Sequence, residues 1–125
     1  MAGSDRKSIL LVDDSRAVRQ LVKFMISRHI DSDIQEADDG MEAVVKLEAH
    51  SFDLVITDIN MPNMNGLSLV KKVRDEMDLA VPIIIVTTMG KEQDRDAGLT
   101  MGANSYVTKP IQAPELIREM TSLLG

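Results

Sequence analysis

Five residues of this 125-residue chain have side chains that could do chemistry together: the adjacent pair Asp13 and Asp14, then Asp58, Thr87 and Lys109. Three carboxylates meeting at one place repel one another, so either a proton is taken up or a cation sits among them. The cation suited to carboxylate oxygens and retained waters is a hard divalent one, Mg2+ before any softer metal. Cysteine is absent and His29 and His50 lie elsewhere in the chain, so no thiolate or imidazole ligand competes. Lys109 would bring a compact positive charge and Thr87 a hydroxyl donor, and with the cation these would neutralise and orient the oxygens of a transferred phosphoryl group. An aspartate carboxylate is an established acceptor in such transfers, forming an acyl phosphate. Asp58 is the best-placed acceptor of the set.

That chemistry requires elements that bring distant positions together, and the apolar pattern supplies them. Ser8 to Val12 is an aliphatic run that stops at Asp13-Asp14-Ser15, and Val18, Leu21, Val22, Met25 and Ile26 then recur at helical spacing. Asp33 to Ala37 is a weaker strand candidate, followed by a helix carrying Met41, Val44, Val45 and Leu47. Leu54 to Thr57 is β-branched and apolar, ends at Asp58, passes through a turn-rich segment to Gly66, and leads into a helix with Leu67, Leu69, Val70 and Val73. Pro82 to Thr87 is the most strand-like run. The helix after it, Lys91 to Met101, is the weakest, since Gly98 costs it about 1 kcal/mol relative to Ala. Ser105 to Thr108 makes a fifth strand closed by Lys109-Pro110, and Pro114 suits the first turn of a last helix with Leu116, Ile117, Met120, Leu123 and Leu124.

Strand and helix thus alternate five times, and strands that read as continuous apolar runs are those buried on both faces of a parallel sheet. Five units are too few for an eightfold barrel, which leaves an open doubly wound α/β sheet. Such sheets bind ligands outside the carboxyl ends of their strands. Asp13, Asp14, Asp58, Thr87 and Lys109 all follow or end strands, so one edge should collect them.

With those residues in view, the chain resembles the receiver domains of bacterial response regulators, CheY-like in length and layout. The resemblance rests on Leu11-Val12-Asp13-Asp14-Ser15, on Thr57-Asp58-Ile59-Asn60-Met61-Pro62 with Gly66 beyond it, on Thr87, and on Gly102-Ala103 through Tyr106 to Lys109-Pro110. It covers Ser8 to the end, leaving residues 1–7 as a short tail before a receiver domain at 8–125. It implies the flavodoxin-like strand order 2-1-3-4-5 with five helices. It also implies Mg2+ held by Asp13, Asp14, Asp58 and the backbone carbonyl of Asn60, with Asp58 phosphorylated by a sensor histidine kinase or a histidine phosphotransfer protein. Thr87 and Lys109 would contact the phosphoryl oxygens, and the Lys109-Pro110 bond would be cis. Thr87 and Tyr106 would carry the switch to the face of helix 4, strand 5 and helix 5, where a downstream protein target docks. The domain would be a signalling device catalysing only its own phosphorylation and dephosphorylation, a monomer that could dimerise when phosphorylated, with chemotaxis as a pathway by analogy.

Two positions depart from the family pattern. Thr88 stands where a small residue is usual and would crowd the site entrance, and Met89 occupies a position that tunes the lifetime of the phosphate. Two other functions compete. An Asp-nucleophile phosphohydrolase wants a second acid two residues after Asp58, where this chain has Asn60. A degenerate receiver acting as a plain binding module would fail to bind Mg2+. Taken singly, the residues have plainer readings: Asp13 and Asp14 could complement the positive end of the first helix, Asp58 could open a turn, and Tyr106 could be a half-buried ring with a wet hydroxyl.

Composition narrows the rest. A net charge of -6 and a pI near 4.8 repel nucleic-acid phosphates and anionic lipid. Phe24, Phe52 and Tyr106 are the only aromatic residues, too few for a base-stacking platform. The start carries charges without a following apolar segment, and no window approaches a membrane span, which predicts a cytoplasmic protein. No glycine-rich phosphate loop or dinucleotide fingerprint is present. His29 and His50 fall near helix ends, where a cation suits the dipole, while Met25, Met41 and Met120 read as core.

Overall fold

A computed structural model describes residues 6–88 and 91–125. Five apolar runs become parallel strands: β1 (Lys7–Val12), β2 (Ser32–Ala37), β3 (Leu54–Asp58), β4 (Ile83–Thr88) and β5 (Ser105–Lys109), in the order β2-β1-β3-β4-β5. The register sets Val12 beside Thr57 and Asp58 beside Val86, so the carboxyl ends of β1, β3 and β4 lie level at one edge. Thr87 pairs with Thr108 and Thr88 with Lys109, which continues that edge to β5. The expectation of an open doubly wound flavodoxin-like sheet in the order 2-1-3-4-5 holds.

Five helices cover the sheet: α1 (Arg16–Ser27), α2 (Gly40–Ala49), α3 (Gly66–Lys71), α4 (Glu92–Met101) and α5 (Ala113–Leu124). Alternation along each strand divides the core in two. Ile9, Leu11, Leu54, Ile56, Ile84 and Val86 face Val22 and Ile26 of α1 and Leu116 and Met120 of α5. Leu10, Val12, Val55, Ile83 and Ile85 face Ala43 and Leu47 of α2 and Leu69 and Val70 of α3. Each large side chain fully buried this way contributes about 1.5–3 kcal/mol against leaving it exposed.

Local sequence explains the helix ends that matter to the edge. Ser15 Oγ accepts from Val18 N–H at 3.2 Å, so the residue after the acidic pair caps α1. Asp39 caps α2 by accepting from Glu42 N–H at 2.9 Å, while Glu42 reaches back to Asp38 N–H at 2.6 Å, a reciprocal capping box shifted by one residue. Asn65 caps α3 through Ser68 N–H at 2.9 Å. In the weak helix α4, Gly98, its least helical residue, lets the helix lie directly on Ile85, where any Cβ would meet that side chain.

Several details differ from expectation. Met41 and Val45 of α2 are 58% and 62% exposed, and Leu21 of α1 is 52% exposed, so these three leave the core. α2 is apolar on more than one side, and its inward face is Ala43 and Leu47. Met25 is half-buried and Met120 fully buried. The third helix continues past Lys71 in a wider turn, in which Met77 N–H bonds to Lys72 carbonyl five residues back at 2.9 Å. β1 begins at Lys7, one residue earlier than predicted; of the remaining tail Arg6 is described, while Met1 to Asp5 lie outside the described residues, as does Met89. Among the described residues no helix is long and apolar enough to cross a membrane.

Candidate functional site

At the carboxyl edge, β1 and β3 deliver Asp13, Asp14 and Asp58, each offering an oxygen within 4.8 Å of the others. Asp13 and Asp58 are 3% and 4% exposed, while Asp14 is open to solvent. β5 adds Lys109, whose Nζ donates to Asp58 Oδ2 at 3.0 Å. The other Asp58 oxygen, Oδ1, accepts from Ile59 N–H at 2.9 Å, and Thr57 Oγ1 donates to the Asp58 carbonyl at 2.9 Å. Gly66 closes the loop after Asp58 by donating its N–H to Ile59 carbonyl at 2.8 Å, and a Cβ there would run into the backbone of Asp58 and Ile59.

Asp13 is fixed at every backbone polar group. Its N–H donates to Ala37 carbonyl at 3.1 Å, its carbonyl accepts from Arg19 Nη1 at 2.6 Å, and its Oδ1 accepts from Ser15 N–H at 2.8 Å. Burial pushes the Asp13 carboxyl above the ordinary carboxylate range; the Ser15 N–H opposes this, the charge of Asp58 adds to it, Lys109 pulls it back and Asp14 pushes it up again by a lesser amount. A cluster that holds one of its carboxyls up in this way is chemically suited to a divalent cation, which would relieve the repulsion. The donor set is all oxygen, with no histidine near it, which fits Mg2+.

Thr87 and Tyr106 line one cavity of about 210 Å3, with Thr88, Lys91, Arg95 and Glu115 also in its wall. Thr87 is buried and Thr88 exposed. Tyr106 is half-buried, and the Arg95 guanidinium stands 5.3 Å over its ring. Asn60 follows the site in the β3–α3 loop and is exposed. The Lys109-Pro110 peptide is cis, as the resemblance implied. His50 caps the end of α2 and meets Phe52 edge-on at 6.3 Å between ring centroids, while His29 is exposed just past α1.

The model of the response regulator receiver domain matches residues 9–121. This chain belongs to that family. The receiver is 43% identical over 119 residues to chemotaxis protein CheY1 of Helicobacter pylori, covering 94% of this chain and 96% of that one. It is 38% identical over 117 residues to the transcriptional regulatory protein TrcR of Mycobacterium tuberculosis, where 93% of this chain matches 44% of a longer protein. The receiver fold also superposes on the chemotaxis response regulator CheY4 of Vibrio cholerae with a TM-score of 0.86 and 32% identity, over 95% of this chain and 99% of that one. Receiver domains of response regulators are signalling domains of two-component systems, with an acidic pocket for Mg2+, and this receiver gathers Asp13, Asp14 and Asp58 in the corresponding cluster.

One residue beside the site is marked by no sequence motif. Arg19 is 9% exposed, and besides the Asp13 carbonyl it holds Glu36 Oε1 at 2.8 Å and Asp38 Oδ1 at 3.0 Å. The signal available in the sequence was its place on the apolar stripe of α1, three residues before Val22 and seven before Ile26. A charge on a buried stripe needs partners.

Proposed function

We propose that this receiver accepts a phosphoryl group on Asp58 from a sensor histidine kinase or a histidine phosphotransfer protein, with Mg2+, and relays the change through the face of α4, β5 and α5 to a protein target. The observation that carries the reading is the environment of Asp58: a buried carboxylate paired with Lys109 and grouped with two further carboxylates. In this reading Asp13, Asp14 and Asp58 hold Mg2+ by their carboxylates and Asn60 by its backbone carbonyl. The bound ion supplies neutralisation for the phosphoryl oxygens.

The chain's own residues do the rest. One oxygen of Asp58 forms the bond to phosphorus as the bond from phosphorus to the donor's imidazole nitrogen breaks, its electron pair leaving with the imidazole. Ile59 N–H orients the attacking carboxylate, and Lys109 is free to move its charge from that carboxylate to the arriving oxygens. Thr87 donates its hydroxyl to the same group. Because Thr87 and Tyr106 border one cavity, a shift of Thr87 toward the phosphoryl group changes the room available to the Tyr106 ring, and that is the proposed relay. Likeness to CheY1 and CheY4 makes chemotaxis the first pathway in which to seek the target.

The test is peptide mapping after treatment with a small phosphodonor and Mg2+. A single modification on the peptide containing Asp58, absent from Asp58→Asn, is the expected result. Modification elsewhere, or steady multiple turnover of a phosphomonoester as a phosphohydrolase would show, contradicts it.

A further inference from the structure

We infer that Arg19 is a positioning residue that holds the acidic pair where a divalent cation needs it; this rests on the reading above that Asp13 and Asp14 bind Mg2+. Arg19 Nη1 donates to Asp13 carbonyl at 2.6 Å and lies 3.0 Å from Asp38 Oδ1, while Nε donates to Glu36 Oε1 at 2.8 Å. Glu36 is held in turn by Lys23 Nζ at 2.9 Å, and the two cations keep its carboxyl below the ordinary range. The planar fork therefore ties the start of the β1–α1 loop to β2 and to the turn that follows it.

The same turn grips the other loop of the site. Asp39 Oδ2 accepts from Asn63 Nδ2 at 2.6 Å, and Gly40 N–H donates to Met64 carbonyl at 3.0 Å. Asn63 and Met64 belong to the loop that runs from Asp58 through Asn60 to Gly66. The turn from Asp38 to Gly40 thus contributes no member of the acidic cluster, yet the loop that carries Asp13 and Asp14 and the loop that follows Asp58 are both fastened to it, one through Arg19 and one through Asp39 and Gly40. Mg2+ takes oxygens at about 2.0–2.1 Å in near-ideal octahedral geometry, so a modest displacement of one loop against the other weakens binding.

The direction of the effect separates positioning from charge. Arg19 is a cation beside a site for a dication, so removing it should tighten Mg2+ binding if charge alone matters. If Arg19 positions Asp13, removing it weakens binding. A merely stabilising Arg19 would lower the urea midpoint in metal-free buffer and leave the Mg2+ affinity of the folded protein unchanged.

The experiment is calorimetric titration of Mg2+ into wild-type protein, Arg19→Met and Arg19→Lys, with urea unfolding of each. Arg19→Met keeps an apolar stem and drops the fork; its Mg2+ dissociation constant should rise about tenfold, the lower end of the range for outer partners of metal ligands. Arg19→Lys keeps the charge and should lie between the two. Equal or tighter binding by folded Arg19→Met overturns the inference. Should that variant not fold, Arg19→Lys binding Mg2+ as wild type does overturns it. Wild-type protein that binds no Mg2+ overturns the underlying reading instead, so the two failures are distinct.

Discussion

Lys109 Nζ lies 3.0 Å from Asp58 Oδ2, joining residues 51 positions apart across the end of β4, the strand between theirs. The two groups differ in solvent access: the Lys109 side chain is 34% exposed and that of Asp58 5%. A half-wet ammonium on a flexible stem can leave the carboxylate for a phosphoryl oxygen, whereas the buried carboxylate stays in place. Lys109→Met should therefore slow phosphoryl uptake about 10²–10³-fold, the cost typical of losing one charge-stabilising donor. Mg2+ binding should persist or tighten, because a cation has been removed. Uptake rates by intact mass and Mg2+ titration together check both halves, and loss of Mg2+ binding would contradict the assignment.

The raised Asp13 carboxyl has a pH signature. Its pKa in the folded chain lies above the unfolded value, so its contribution favours folding below the unfolded pKa and is lost as pH rises through the folded one. In metal-free buffer Asp13→Asn should raise the urea midpoint at neutral pH, and the gain should shrink as the pH falls into the carboxylate range. Glu36, held low by Arg19 and Lys23, has the opposite sign, its contribution being present above the carboxylate range and lost as pH falls. A gain from Asp13→Asn that grew toward acid would contradict this account.

Gly66→Ala places a Cβ against the Asp58 carbonyl and 2.8 Å from Ile59 Cα, both backbone atoms that cannot rotate aside. We expect a loss of about 1–3 kcal/mol in stability, as for other overpacked sites, with slowed modification of Asp58 because its backbone must shift. Urea unfolding and the rate of adduct formation report the two effects.

A control lies at the far end of the sheet. Arg74 donates to Gly102 carbonyl at 3.0 Å, to Leu79 carbonyl at 2.7 Å and to Asn104 Oδ1 at 2.9 Å, and Asn104 Oδ1 also accepts from Ile83 N–H at 2.8 Å. Arg74→Ala leaves partly buried acceptors unpaired and should lower stability by about 1–3 kcal/mol. The Mg2+ affinity and the rate of Asp58 modification of the folded variant should match wild type.

The three central strands were plain in the sequence because runs such as Ile83-Ile84-Ile85-Val86 are buried on both faces and carry no competing period, and the edge strand β5 was marked instead by the Lys109-Pro110 stop that closes it. β2 read weakly because it is an edge strand with only Ala37 fully buried. Met41 and Val45 were misplaced since apolar spacing in α2 does not say which side meets the sheet. The gathering of Asp13, Asp14, Asp58 and Lys109 followed from their positions at strand ends. The tethers did not: Arg19 to Asp13 and Asp39 to Asn63 are tertiary pairings with no local signature. Nor did the wide turn after Lys71, where nothing in Lys72 to Glu76 marks a departure from an ordinary helix.

The central claim is that Asp58 takes up one phosphoryl group with Mg2+. It is tested most directly by the intact mass of the protein after incubation with a small phosphodonor, with and without Mg2+, alongside Asp58→Asn. The account predicts one added phosphoryl group that requires both the metal and Asp58. An adduct that persists in Asp58→Asn, or forms equally well without Mg2+, would contradict it.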